Sequence, residues 1–272
     1  MRRKLRSPLP QRHGLDPVRL RLPTDGHWAT VRDFLVDRIP KLAPERIERM
    51  LREGRIVSLD GPVAPDAVFR PGTFVWFHRD LPEETPVPFE IDVLHRDEDI
   101  LVVDKPHFLA TTPRGGHVTE TALIRLRRQL DLPDLSPAHR LDRATAGVVL
   151  FVIDPRRRGT YQTLFHDRRV DKEYEAVAPY RPDLELPRTV RSRIIKHRGV
   201  LAAQEEPGEP NAETRVELLE RRDRIARYRL LPRTGRTHQL RVHLNALGIP
   251  ILGDDLYPQV LDRPADDFAE PL

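Results

Sequence analysis

Two kinds of hydrophobic spacing divide the chain. Within residues 26–80, Trp28, Val31, Phe34, Leu35 and Ile39 recur at the three- and four-residue intervals of a helix with one apolar face. Pro40 and Pro44 interrupt that run, and Pro44 suits the first turn of a second helix. Its apolar face is Ile47, Met50 and Leu51, its other faces carry Arg46, Glu48, Arg49 and Arg52, and Gly54 closes it as a C-cap. Strand-like pieces follow at 55–59 and 73–78, with Asp60-Gly61 marking a turn. Residues 1–25 are basic and broken by Pro, which reads as a flexible arm. Residues 81–88, LPEETPVP, have no period and read as a linker.

From residue 89 the texture becomes strand-rich. Strands are expected at 91–95 and 100–103, around a turn at 96–99, and again at 172–178, 189–195, 214–219 and 226–231. The continuous apolar run 148–153 reads as a strand buried on both faces. Helices are expected at 121–130, 156–168 and 237–247, the last with Leu240, Leu244 and Leu247 on one face and Gly248 past its end. Strands with inserted helices make the class α+β, built on a mixed, mainly antiparallel sheet and preceded by a small α/β module.

Composition narrows the classes. The 272 residues suit one catalytic domain plus a small module, and 39% hydrophobic content supports a core. No apolar stretch approaches the ~20 residues that cross a bilayer. The N-terminal MRRKLRSPLPQRHG has no apolar segment behind its charges, so no secretory signal is expected. There is no Cys, which excludes disulfides, zinc ribbons, iron–sulfur clusters and thiol nucleophiles and fits a reducing cytoplasm. Of the 46 basic residues only five are Lys. Arg forks suit phosphate and stack on bases, so a pI near 9.6 points to a polyanionic partner, although Arg-favouring codon usage gives the same skew.

Two segments carry candidate chemistry. The first, Pro137–Gly147, is a polar loop feeding directly into the apolar strand at 148, and it holds His139, Arg140, Asp142 and Arg143. Positive neighbours favour the carboxylate form of Asp142, which can then act as nucleophile, base or metal ligand. An Asp in a loop is also commonly a turn cap. The second runs from Arg233 to Leu244, where Gly235 lets a strand turn into a helix and Arg236 to His238 sit at its N-terminus, a natural anion site. His238 and Arg241 share a face at i,i+3. His238 and His243 are five apart, off the i,i+4 spacing of a helical zinc pair. Lys105-Pro106 at a strand end and Lys172-Glu173-Tyr174 in an alternating strand complete the set, and each alone reads as structure.

Taken in order, these segments resemble the RluA-type pseudouridine synthases. The stretch from His139 to Gly147 (HRLD-x-x-T-x-G), Lys105-Pro106, Lys172-Glu173-Tyr174, the helix from Gly235 to His243, and Gly248 to Asp254 ending at Tyr257 carry the likeness over residues 89–258. Residues 26–80 resemble the small RNA-binding domain, first named in a ribosomal small-subunit protein, that precedes many of these enzymes. The resemblance implies isomerisation of uridine to pseudouridine in RNA, without cofactor or metal. Asp142 would be the essential carboxylate, attacking the nucleoside or taking a proton from the sugar. Arg241 would hold that carboxylate, Tyr174 would pack against the target uracil, and Arg140 would enter the base stack as the uridine leaves it. Leu252 would wall the uracil pocket, and Arg236, His238 and His139 would line the substrate side. Ala146 stands where the family usually has Ser, and the segment HFLATTPRGGH after Pro106 is looser than usual. The expected partner is RNA, ribosomal before transfer, with no membrane, and the protein is expected to be a monomer. The alternative is a catalytically silent RNA-binding protein that retains the fold.

Overall fold

Each helix boundary in the first part of the chain has a local cause. The computed structural model describes residues 6–40, 42–81 and 83–261. The ends of the expected arm (1–5) and catalytic domain (262–272), and Pro82 of the expected linker, lie outside the described residues. Strand β1 (Val18–Arg21) is followed by helix α1 (Val31–Arg38). Thr30 caps α1: its side chain accepts the Asp33 N–H at 3.1 Å, and the Asp33 carboxylate accepts the Thr30 N–H at 3.2 Å. Helix α2 (Pro44–Arg52) opens with Pro44, and Gly54, at φ +65°, ends it by donating to the Leu51 carbonyl. Strands β2 (Val57–Ser58) and β3 (Gly61–Pro62) form a hairpin at the expected turn, and β4 (Phe74–Phe77) completes an antiparallel sheet ordered β1-β4-β2-β3. Trp28, Phe34 and Phe69 pack mutually at 5.1–5.6 Å over a core that includes Ile47, Met50, Leu51 and Val75.

The described residues divide into two units. The first runs to Glu84 and also takes Ile124–Pro133; the second comprises Thr85–Leu123 and the residues from Asp134 on. This departs from the sequence reading in two places. Residues 18–21 lie inside the expected arm but pair residue for residue with β4. The motif VRLR alternates, and its apolar positions pack on the core of this unit. Most of helix α3 (Ala122–Gln129), expected within the catalytic domain, groups with the first unit. Its buried Arg127 donates to the Gly14 carbonyl at 2.9 Å and meets Asp16 at 3.2 Å.

The second unit holds two antiparallel sheets. One is ordered β5-β6-β8-β7, from β5 (Asp92–Arg96), β6 (Ile100–Lys105), β7 (Ser136–Pro137) and β8 (Gly147–Val152). Helix α4 (Arg158–His166) follows, with no fully buried residue. The other sheet is ordered β11-β10-β12-β13-β9. It uses β9 (Tyr174–Pro179), β10 (Arg188–Ile195), β11 (Gln204–Glu206), β12 (Ala212–Arg222) and β13 (Ile225–Pro232). Helix α5 (Gln239–Ala246) packs Leu244 onto it, against Val216, Ala226, Tyr228 and Leu230. Parallel pairing is confined, among the described residues, to the isolated bridge Ala110–Thr121. Short links such as 97–99 and 223–224 permit only antiparallel neighbours. The run at 148–153 is less buried than its composition implies. Val149, Phe151 and Val152 are fully buried, but Val148, paired with Asp104, is 56% exposed.

Candidate active site

Two registers, one in each sheet, position the segments that carry the candidate residues. Gly147, where β8 begins, pairs with Lys105, where β6 ends, so the loop carrying Asp142 arrives beside Lys105-Pro106. Tyr174, the first residue of β9, pairs with Leu230 near the end of β13, just before the chain turns through 233–238 into α5.

Asp142 sits in a tight turn, its carbonyl accepting the Thr145 N–H at 3.1 Å. Its Oδ2 lies 3.7 Å from Arg241 Nη1 and 3.9 Å from His238 Nε2. Arg241 is 8% exposed and is held elsewhere. Its Nε and Nη2 each donate to the Asp254 carboxylate at 2.6 Å, a bidentate fork, and Nη2 also reaches Asp255 Oδ1 at 3.0 Å. Burial opposes the charge on Arg241, but Asp254, Asp142 and Asp255 together outweigh it and raise its affinity for the proton. Asp254 in turn accepts the N–H groups of Leu256 and Tyr257. Arg241 therefore presents a fixed positive edge to Asp142, with Asp254 as its principal anchor.

His238 is the N-cap of α5 and takes the left-handed conformation, φ +58°. The expected sharp turn thus falls at His238 and not at Gly235. Beside Gly235, Lys172 Nζ donates to the Thr234 carbonyl at 2.8 Å. His238 Nδ1 is 3.0 Å from the Tyr257 hydroxyl, and that hydroxyl accepts the Ala203 N–H at 2.7 Å. Burial lowers the His238 pKa against the pull of Asp142. Gln239 pins the turn: its side chain accepts from Thr234 Oγ1 at 2.7 Å and donates to the Glu213 carbonyl and to Thr214.

Lys105 is fully buried, donating to the Pro106 and Leu109 carbonyls at 2.8 and 2.7 Å. Burial pushes its pKa down to about 7, partly opposed by Asp142 and reinforced by Arg143. Burial, with the charge of Asp142, raises the Tyr174 phenol. Arg143 lies 3.6 Å from Asp255.

The other expected residues flank this centre along the chain: His139 and Arg140 precede Asp142, Arg236 precedes His238, and Leu252 precedes Asp254. His139 is engaged inside the fold, where its ring stacks on Phe165 at 4.3 Å and Nε2 accepts the Leu150 N–H at 3.1 Å. Burial, then Lys172, pushes its pKa down to about 4, so it is neutral at pH 7 and occupied, not offered to a substrate. Arg140, the next residue, is exposed. Arg236 is exposed, its Nε donating to the Asn211 carbonyl at 3.1 Å. Leu252 is half-buried and donates its N–H to the Val177 carbonyl of β9. Asp254, Asp255, Tyr257 and Gln239 were absent from the expected site. The signal for the first three was the Gly253-Asp254…Tyr257 stretch, whose spacing does not disclose that Asp254 grips Arg241, and Gln239 lies within the Gly235–His243 motif. Among the described residues no group of three or more His, Asp or Glu side chains could hold a metal ion, and no helix is long and apolar enough to cross a membrane.

The fold and this centre define a class. Residues 99–246, more than half of the chain, match the family described as RNA pseudouridylate synthase, and the chain belongs to that family. Among relatives, it is 33% identical over 214 residues to the mouse protein named "Pseudouridylate synthase RPUSD2", covering 77% of this chain and 38% of the mouse protein. The chain thus spans about two fifths of that relative's length. It is 28% identical over 252 residues to the Yersinia pestis "Ribosomal large subunit pseudouridine synthase D", covering 89% of this chain and 72% of that one. Among solved structures, "Human RNA Pseudouridylate Synthase Domain Containing 1" superposes with a TM-score of 0.54 at 27% identity, over 65% of this chain and 74% of the human one.

Proposed function

We propose that the chain is an RNA pseudouridine synthase that isomerises uridines in structured RNA, ribosomal RNA before transfer RNA. The observation that carries this reading is the carboxylate of Asp142 at the mouth of β8, 3.7 Å from a buried guanidinium that Asp254 holds in place. In the isomerisation the N1–C1′ bond breaks and a C5–C1′ bond forms. One proton leaves C5 and one arrives at N1, so no oxidant and no external group is consumed. An ionised, oriented carboxylate serves either as nucleophile on the nucleoside or as base toward the sugar. Tyr174 packs on the uracil, and Leu252 supplies an apolar wall. Arg236 and His238 meet the substrate at the rim. The exposed Arg140 fills the stack that the flipped uridine vacates, which offsets the few kcal/mol of unstacking. The first unit binds flanking RNA through its Arg-bearing helix α2, and the protein acts as a monomer in the cytoplasm. The ribosomal preference is supported by the name of the Yersinia relative, a ribosomal large subunit pseudouridine synthase.

Purified protein is incubated with ribosomal and transfer RNA transcripts, with and without EDTA, and pseudouridines are mapped by carbodiimide labelling. The expected result is site-specific modification, unchanged by EDTA and abolished in Asp142→Asn while RNA binding persists. Turnover by Asp142→Asn overturns the assignment.

A further inference from the structure

The segment after Lys105-Pro106, the least regular of the sequence motifs, holds the backbone around Asp142. Thr111 is 1% exposed, and its hydroxyl serves both polar groups of one residue. Oγ1 accepts the Leu141 N–H at 3.1 Å and donates to the Leu141 carbonyl at 2.8 Å. Three residues on, the Ala144 carbonyl lies 2.7 Å from His107 Nδ1. A carbonyl only accepts, so Nδ1 carries the proton there. Asp142 therefore lies between two grips, one immediately before it and one two residues after it, and its own carbonyl closes the turn onto Thr145.

The gripping segment is itself anchored at both ends. Lys105 Nζ donates to the carbonyls of Pro106 and Leu109. The N–H groups of Ala122 and Leu123 donate to the carbonyls of Ala110 and Thr111 at 2.8 and 3.1 Å. The Asp142 side chain needs such a support. Its neighbours Arg241 and His238 stand 3.7 and 3.9 Å away, beyond hydrogen-bond length, so they do not fix its direction. The direction of the carboxylate is inherited from the backbone that Thr111 and His107 hold.

We propose that Thr111 and His107 are positioning residues for the reaction, clamping the Asp142 turn so that its carboxylate meets the reacting nucleoside. This rests on the reading of Asp142 as the acting carboxylate. A displacement of about 1 Å at a reacting group costs on the order of 100-fold in rate. The clamp acts on geometry at the reacting atoms, so its loss lowers kcat and leaves KM alone.

The test uses the full chain and the RNA transcript it modifies. Thr111→Val removes the hydroxyl at nearly constant volume, Thr111→Ser keeps it, and His107→Phe keeps a ring without its N–H. For Thr111→Val and His107→Phe the expected result is kcat reduced about 10- to 100-fold with KM within about twofold. Thr111→Ser restores most of the loss. Should Thr111→Val fail to fold, the half-buried His107→Phe carries the same expectation. Wild-type kcat in both clamp variants, or Thr111→Ser as impaired as Thr111→Val, overturns the proposal. Asp142→Asn run alongside separates the two levels. An active Asp142→Asn removes the reading of the site; an inactive one with fully active clamp variants removes the clamp alone.

Discussion

Acidification should loosen the second unit through His139. In the folded chain this imidazole takes up a proton only near pH 4, because burial and then Lys172 disfavour its charge. Unfolded, it titrates near 6.5. The folded state therefore binds fewer protons between those limits. Its stability is fully present above about pH 6.5 and is lost as pH falls toward about 4. The full difference of about 2.5 pH units corresponds to ~3 kcal/mol, and between pH 7.5 and 5 the loss is ~2 kcal/mol. Against a typical total of ~5–15 kcal/mol this is a large share. His238 and His243, also lowered by burial, act in the same direction. Both tryptophans, Trp28 and Trp76, lie in the first unit, so fluorescence reports the wrong region. Urea unfolding followed by far-ultraviolet circular dichroism at pH 7.5 and 5 is the assay. His139→Gln, whose side-chain carbonyl can still accept the Leu150 N–H, should lose about 2 kcal/mol less than wild type on acidification. An identical pH dependence in the two proteins would refute the reasoning.

Other consequences follow from named contacts. Arg241→Ala leaves the Asp254 carboxylate, 3% exposed, without its fork, and should cost ~3–5 kcal/mol in urea unfolding together with most of the turnover. Normal stability would mean that Asp254 finds another partner. Tyr257→Phe strips the buried Ala203 N–H of its acceptor and should cost ~1–3 kcal/mol, read as a lower melting temperature; an unchanged melt contradicts it. If helix α2 contacts RNA phosphates, Arg49→Gln should flatten the slope of log affinity against log salt by roughly one without altering which uridine is modified. An unchanged slope takes Arg49 off the RNA.

Much of the fold was legible because its elements are locally determined. The three- and four-residue spacing around Phe34 and Ile47, and the alternation in β9 and β13, each reflect one face packed on a core. Asp142, Arg241, His238 and Tyr174 were named from the chain, and the registers of β8 and β13 account for where they stand. What escaped depends on contacts distant in sequence or on rotamers. Strand β1 is four residues within a basic stretch, and only its pairing with β4 distinguishes it from an arm. The bulk of α3 groups with the first unit, where Arg127 reaches Gly14, more than a hundred residues earlier. Asp254 takes the fork of Arg241 that the family resemblance assigns to Asp142. The inward turn of His139 onto Phe165 is a side-chain choice that no spacing encodes. Thr111 and His107 sit in a loop without periodicity, so their hold on Leu141 and Ala144 emerges only in three dimensions.

The central claim is that Asp142 isomerises uridine in RNA. Its most direct measurement maps pseudouridines by carbodiimide labelling in total RNA from cells with the gene, without it, and with Asp142→Asn in its place. The account predicts that one or a few uridines, in ribosomal RNA first, lose modification without the gene and regain it only with the intact protein. Modification restored in full by Asp142→Asn, or a pseudouridine map identical in all three strains, would contradict it.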